Sequence, residues 1–158
     1  MERLEKLLDL PDYKVVLEQI EDFEKERIYC RHGKEHFRDV ARIAYILSLE
    51  NKLELSKEMI YVTAFLHDMG RAYEYKGFCS HESGSVLMAL DWLPKCGFTE
   101  EQIKEIITAI KEHRKNGADG TLGKVLYQAD KLSRDCFSCK AQAACKWPDE
   151  KKNRHILY

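Results

Sequence analysis

Apolar residues return at three- and four-residue steps along nearly the whole chain, and period-2 alternation is scarce, so the fold is expected to be packed helices without a sheet. The clearest stripe is Phe37, Val40, Ala41, Ala44, Leu47 and Ser48, which predicts a helix over 34–50. Residues 1–10 read as a short amphipathic helix stopped near Pro11. Pro11 can open a second helix to about Arg27, with Val16, Ile20, Phe23 and Arg27 at helical spacing. Ser56 suits an N-cap and Glu58 meets the dipole of a helix that runs to about Asp68 and is ended by Gly70. Its stretch Val62-Thr63-Ala64-Phe65-Leu66 is apolar nearly all round, which puts it in the centre of the bundle. Residues 71–79 read as a loop. Residues 80–93 resume helix, closed by Pro94 and Gly97, and Thr99-Glu100-Glu101-Gln102 has the capping-box form ahead of Ile103, Ile106, Ile107 and Ile110. A turn-rich loop at 116–120 precedes a last helix through Leu122, Val125, Leu126, Ala129 and Leu132. The tail from Cys136 is polar and irregular. Only 3 Pro and 8 Gly in 158 residues leave room for such helices, about six to seven of them in one compact all-α bundle.

Charge narrows the partners. Lys and Arg number 26 against 27 Asp and Glu, so an extended nucleic acid is a poor partner, while small anions remain open. No apolar run approaches the roughly 20 residues that span a bilayer, and the N-terminus lacks a signal-peptide pattern. The expectation is a cytoplasmic protein without a membrane partner whose 6 Cys are mostly reduced, and which is free to form a homo-oligomer.

Function is written where polar residues interrupt the apolar stripes. His36 shares a face with Val40 and Ile43; His67 follows Ile60 and Ala64, with Asp68 beside it; His113 continues Ile103, Ile106 and Ile110; Asp130 follows Leu126 by four. Several helices thus bring an imidazole or a carboxylate inward. Burying ionised Asp without a partner costs several kcal/mol, about what a divalent cation would offset. Mixed imidazole and carboxylate donors suit first-row transition metals, such as Fe, Mn, Co, Ni or Zn, better than Mg2+ or Ca2+.

The stretches Glu35-His36-Phe37-Arg38-Asp39-Val40-Ala41, Ala64-Phe65-Leu66-His67-Asp68-Met69-Gly70-Arg71 and Tyr127-Gln128-Ala129-Asp130-Lys131 resemble the HD-domain metal-dependent phosphohydrolase superfamily. The resemblance implies an HD-type helical bundle with a central metal site, a core over about 31–134 and a Cys-containing tail over 135–158, all in one domain, 1–158. It assigns metal binding to His36, His67, Asp68 and Asp130. Ser80-His81-Glu82-Ser83 and Ile110-Lys111-Glu112-His113-Arg114 look like the subgroup in which two extra His complete a second metal site, among them the HD-type diadenosine-tetraphosphate hydrolases and cyclic-dinucleotide phosphodiesterases. By that likeness His81 and His113 join the ligands and Asp68 bridges two ions.

What the resemblance implies chemically is hydrolysis of a small phosphorylated metabolite, a nucleotide above all, by metal-bound hydroxide attack on phosphorus. Asp68 would be catalytic through the metals, and Arg71 and Lys131 are candidates to neutralise phosphoryl oxygens. His32 would add a substrate contact or simply cap the preceding helix. Two other readings stay open, an HD-type di-iron oxygenase and a non-catalytic nucleotide or metal sensor. Cys136-Phe137-Ser138-Cys139 with Cys145 six residues on could hold a separate structural zinc, with His155 or a distant Cys as fourth ligand, or could be unligated. Cys30, Cys79 and Cys96 read as small apolar side chains.

Overall fold

The computed structural model describes residues 1–114 and 121–158; the turn-rich segment 116–120 lies outside the described residues. These form α1 (Glu2–Asp9), α2 (Pro11–Phe23), α3 (Lys34–Glu50), α4 (Lys57–Leu66), α5 (Arg71–Tyr75), α6 (His81–Lys95), α7 (Glu100–Glu112) and α8 (Leu122–Leu132), followed by two 3-10 turns, Gln142–Ala144 and Asp149–Lys151. The architecture is all-α. Among the described residues seven helices have eight residues or more, and α5 has five. No helix is long and apolar enough to cross a membrane among the described residues.

The centre is α4, which packs against α1, α3, α6, α7 and α8. Of its residues from Met59 to Leu66 only Tyr61 escapes full burial, so it has no polar face to offer water. Ser56 caps it, its hydroxyl accepting from the Met59 amide at 3.5 Å. The stripe of α3 from Phe37 to Ser48 is buried as its spacing requires. Thr99 and Gln102 close a reciprocal capping box at the start of α7. Leu4 and Leu7 of α1 and Tyr13 and Ile20 of α2 enter the same core, and the Tyr13 hydroxyl donates to the Phe65 carbonyl at 3.2 Å.

Local structure departs from the sequence reading at four places. The second helix stops at Phe23, not near Arg27, because Glu24 turns inward while Phe23 stays 51% exposed. The central helix ends at Leu66, and His67–Gly70 form turns instead of more helix. Residues 71–75, expected as loop, make a single helical turn packed on α6. Pro94 lies inside the last turn of α6 instead of closing it. The carbonyl it cannot bond belongs to Leu90, which is exposed enough for water to satisfy it.

Candidate metal centre

Five of the chain's six His converge on one carboxylate. Asp68 is buried in the turn after α4, and its two oxygens look in different directions. Oδ2 lies 3.5 Å from His67 Nε2, 3.8 Å from His36 Nε2 and 3.8 Å from His32 Nε2. Oδ1 lies 3.5 Å from His81 Nε2 and 3.9 Å from His113 Nε2. Asp130, on the last turns of α8, brings Oδ1 within 3.6 Å of His36 Nε2. Two triads of ligand atoms, His36 with His67 and Asp68, and Asp68 with His81 and His113, each lie mutually within 4.8 Å. They share Asp68. The six candidate ligands come from α3, the turn after α4, the first residue of α6, the end of α7, and α8, so the bundle closes a ring that no single segment contains.

Hydrogen bonds fix which ring nitrogen faces that space. His67 Nδ1 donates to the Ala64 carbonyl at 2.7 Å and His113 Nδ1 to the Ile110 carbonyl. His81 Nδ1 donates to Glu74 at 2.9 Å, and His32 Nδ1 to Glu24 at 2.6 Å. Ser133 spends its one proton on the Asp130 carbonyl at 3.0 Å, so it accepts from His36 Nδ1 at 3.4 Å. Every Nδ1 is therefore engaged as a donor away from the centre, and every Nε2 is turned towards Asp68. His36 Nε2, His67 Nε2 and Asp68 Oδ1 are buried without a hydrogen-bond donor. Converging buried acceptors repel one another, and a cation among them removes that cost. The donor set thus fits one or two divalent transition-metal ions.

Charge follows the same logic. Burial pushes the His36 imidazole down to about 3, helped by His67 and opposed by Asp68 and Asp130. Burial likewise lowers His113 to about 4. For Asp68 burial works the other way, yet the surrounding imidazoles and Arg71 hold its carboxyl well below the usual range. Asp130, raised by burial but drawn down by His67 and Lys131, sits at about 2. His36 and His113 held neutral beside carboxylates held ionised are in the protonation states metal binding needs. The unfolded chain protonates His36 and His113 near 6.5, far above their folded values, so unfolding takes up protons as the solution is acidified. Stability of metal-stripped protein is therefore lost as pH falls from about 6.5 towards 4, and the depressed carboxylates add loss of the same sign below that. Urea midpoints should decline steadily across this range, by on the order of 6 kcal/mol in stability for the two groups together; a flat profile would contradict these environments.

The cations expected near phosphate are paired here. Arg71 Nε lies 3.1 Å from Asp68 Oδ2 and its Nη1 lies 3.7 Å from Glu74. Lys131 Nζ contacts Asp130 Oδ2 and lies 5.4 Å from the Tyr127 ring. Both line a cleft of roughly 1480 Å³ that opens from the Asp68 ring. His32, read as a substrate contact or a cap, is buried inside that ring.

The HD domain family matches residues 33–135. The chain belongs to the HD domain family. An uncharacterized protein of Clostridium beijerinckii is 40% identical over 158 residues, covering all of both chains. A predicted HD superfamily hydrolase from an uncultured Thermotogales bacterium is similar in fold, with a TM-score of 0.64 and 24% identity over 89% of this chain and 78% of that one.

Within this HD domain the sequence reading missed the groups that aim the rings. Glu24, 1% exposed, grips His32 through both backbone and ring and accepts from the Tyr75 hydroxyl. Burial alone would raise its carboxyl, but His32 and Tyr75 bring it down to about 2. Its spacing, four residues after buried Ile20, was the available signal. Glu74 behind His81 had no such periodicity, and Ser133 meets His36 from 97 positions away.

Proposed function

We propose that the protein is a metal-dependent phosphohydrolase acting on a small phosphorylated metabolite, with a nucleotide as the favoured class. The single observation that carries this reading is the pair of His/Asp triads sharing Asp68. His36, His67, Asp68 and Asp130 would hold one divalent ion, and Asp68, His81 and His113 a second. When bound, such ions supply Lewis acidity towards phosphoryl oxygen and lower the pKa of water between them. The chain's own work is orientation and charge. The Nδ1–H bonds to Ala64, Ile110, Glu74 and Ser133 keep each ring from turning away. Asp68 and Asp130 cancel only two of four metal charges, which leaves the site attractive to phosphate. Arg71 and Lys131, once their carboxylates are balanced by metal, are positioned at the cleft wall to meet phosphoryl oxygens. His32, held by Glu24, offers Nε2 to a substrate proton donor. The cleft is far larger than orthophosphate needs, and Tyr29, Tyr127 and Trp147 along it offer rings to a base.

The test joins metal analysis of freshly purified protein to a phosphate-release screen over nucleotides with Mn2+, Fe2+, Co2+ and Ni2+. About two ions per chain at the His and Asp residues, counted as those lost in Asp68→Asn, with release of phosphate is the expected result, and His81→Ala should lower that number towards one. Oxygen consumption without phosphate release would replace this reading with a di-iron oxygenase. Tight metal and nucleotide binding with no turnover would make the protein a sensor.

A further inference from the structure

The C-terminal segment is held without a core of its own. No residue from Ser133 to Tyr158 is fully buried, and Phe137 and Trp147 are each 41% exposed. The side chains the segment turns partly inward include Cys136, Cys139 and Cys145. Successive tight turns present the three thiols: Ser138 N donates to the Asp135 carbonyl at 3.1 Å, Gln142 N to Cys139 at 3.1 Å and Cys145 N to Gln142 at 3.2 Å, while Gln142 Nε2 donates to the Cys136 carbonyl at 2.6 Å.

A fourth thiol arrives from the other end of the chain. The Tyr29 hydroxyl donates to the Ala144 carbonyl at 3.2 Å, which ties the segment before α3 to the tail beside Cys145. Cys30 follows Tyr29 directly. Cys30 is exposed at the cleft mouth, and its thiol, raised by partial desolvation, feels Arg134, Cys136 and Cys139. Cys30, Cys136, Cys139 and Cys145 line one cleft, whereas Cys79 and Cys96 do not. All six are free thiols.

We propose that Cys30, Cys136, Cys139 and Cys145 form a four-thiolate zinc site, separate from the His/Asp centre, that clamps the C-terminal segment as a wall of the cleft. Zinc takes four thiolates at about 2.3 Å in a closed tetrahedron. Among the described residues no three thiols lie mutually within 4.8 Å, so the ion gathers them from an open arrangement by side-chain rotation. Binding displaces the thiol protons, and Arg134 beside Cys30 offsets part of the resulting net negative charge. The clamped segment reaches the His/Asp centre through Asn153, whose Nδ2 lies 2.9, 3.1 and 2.9 Å from the carbonyls of Lys131, Leu132 and Arg134 and shares its two hydrogens among them. It thereby caps the end of α8 that carries Asp130.

The probe is Co2+ added to reduced, metal-stripped full-length protein under anaerobic conditions. Thiolate ligation gives a near-ultraviolet charge-transfer band that a site of His and Asp cannot produce. The expected result is a band whose limiting intensity, with the His/Asp centre also filled, corresponds to one thiolate-bound Co2+ per chain, which persists in His67→Ala and Cys79→Ser and is weakened or lost in Cys30→Ser and Cys139→Ser. Zinc should bleach it and lower the number of thiols reactive towards Ellman's reagent by four, a wild-type readout that stands if a variant misfolds. Absence of the band in wild-type protein overturns the site, and full intensity in Cys30→Ser overturns the assignment of the fourth ligand. An iron chromophore with acid-labile sulfide in the purified protein overturns zinc. Phosphate release enters none of these readouts, so their failure leaves the proposed hydrolase standing.

Discussion

Asp68→Asn is expected to abolish tight metal binding at both triads at once and to reduce hydrolysis by about a thousandfold or more. The exchange keeps the volume of a buried side chain and removes its charge. Asp68 is the only residue common to both triads, with one oxygen facing His36 and His67 and the other facing His81 and His113. An amide nitrogen on either side puts a donor where an anion is required. The helical circular dichroism should be unchanged, because the core lies in the helices and not in this carboxylate. His67→Ala should do the same to the first triad while leaving the second partly able to bind. Metal content measured after gel filtration, set beside phosphate release, checks both. Two ions retained by Asp68→Asn would remove it from its bridging position.

The second large effect is predicted for Gly70→Ala, a change that deletes no functional group. A Cβ at Gly70 would stand 2.0 Å from the His81 carbonyl oxygen, 2.3 Å from Ser85 N and 2.7 Å from the Gly84 carbonyl carbon, all backbone of α6. Side chains can rotate away from such a contact; backbone cannot without moving the helix. Ser85 bolts the same junction, accepting from Gly70 N at 2.8 Å and donating to the His67 carbonyl at 2.8 Å. Gly70 has φ of −66°, so alanine suffers no backbone strain and the whole cost is steric. Overpacking ordinarily costs 1–3 kcal/mol, and this contact should exceed about 3 kcal/mol while drawing His81 off Asp68. Urea unfolding and metal stoichiometry report the two consequences separately. Gly77→Ala is the yardstick, with φ of 75° and nothing within 4 Å of the new Cβ, and should cost only about 1 kcal/mol. A Gly70→Ala protein as stable as its parent, with both ions, would refute the close crossing.

The legible parts of this protein are those encoded over a few turns. The stripe of α3, the capping box at Thr99 and the all-apolar run of α4 repeat at the period of the helix, so each announces its buried face. His36, His67, His113 and Asp130 were readable for the same reason, as polar residues standing on those faces. The short helix α5 was not, because five residues carry no period and are helical through packing on α6. Gly70 was read as a helix terminator, yet its lack of a Cβ matters to a helix eleven residues further on. Glu24, Glu74 and Ser133 escaped notice because each acts on a ring that reaches it only after the chain has folded back.

By itself the sequence determined which elements form and which of their faces turn inward, since both follow from local periodicity and capping. Only the tertiary structure decided that the inward imidazoles share one carboxylate, which nitrogen each presents, and that Cys30 sits beside the tail. The reason is physical: burial is a property of a residue and its near neighbours, whereas convergence depends on crossing distances between helices, set by side chains and glycines far apart in the chain.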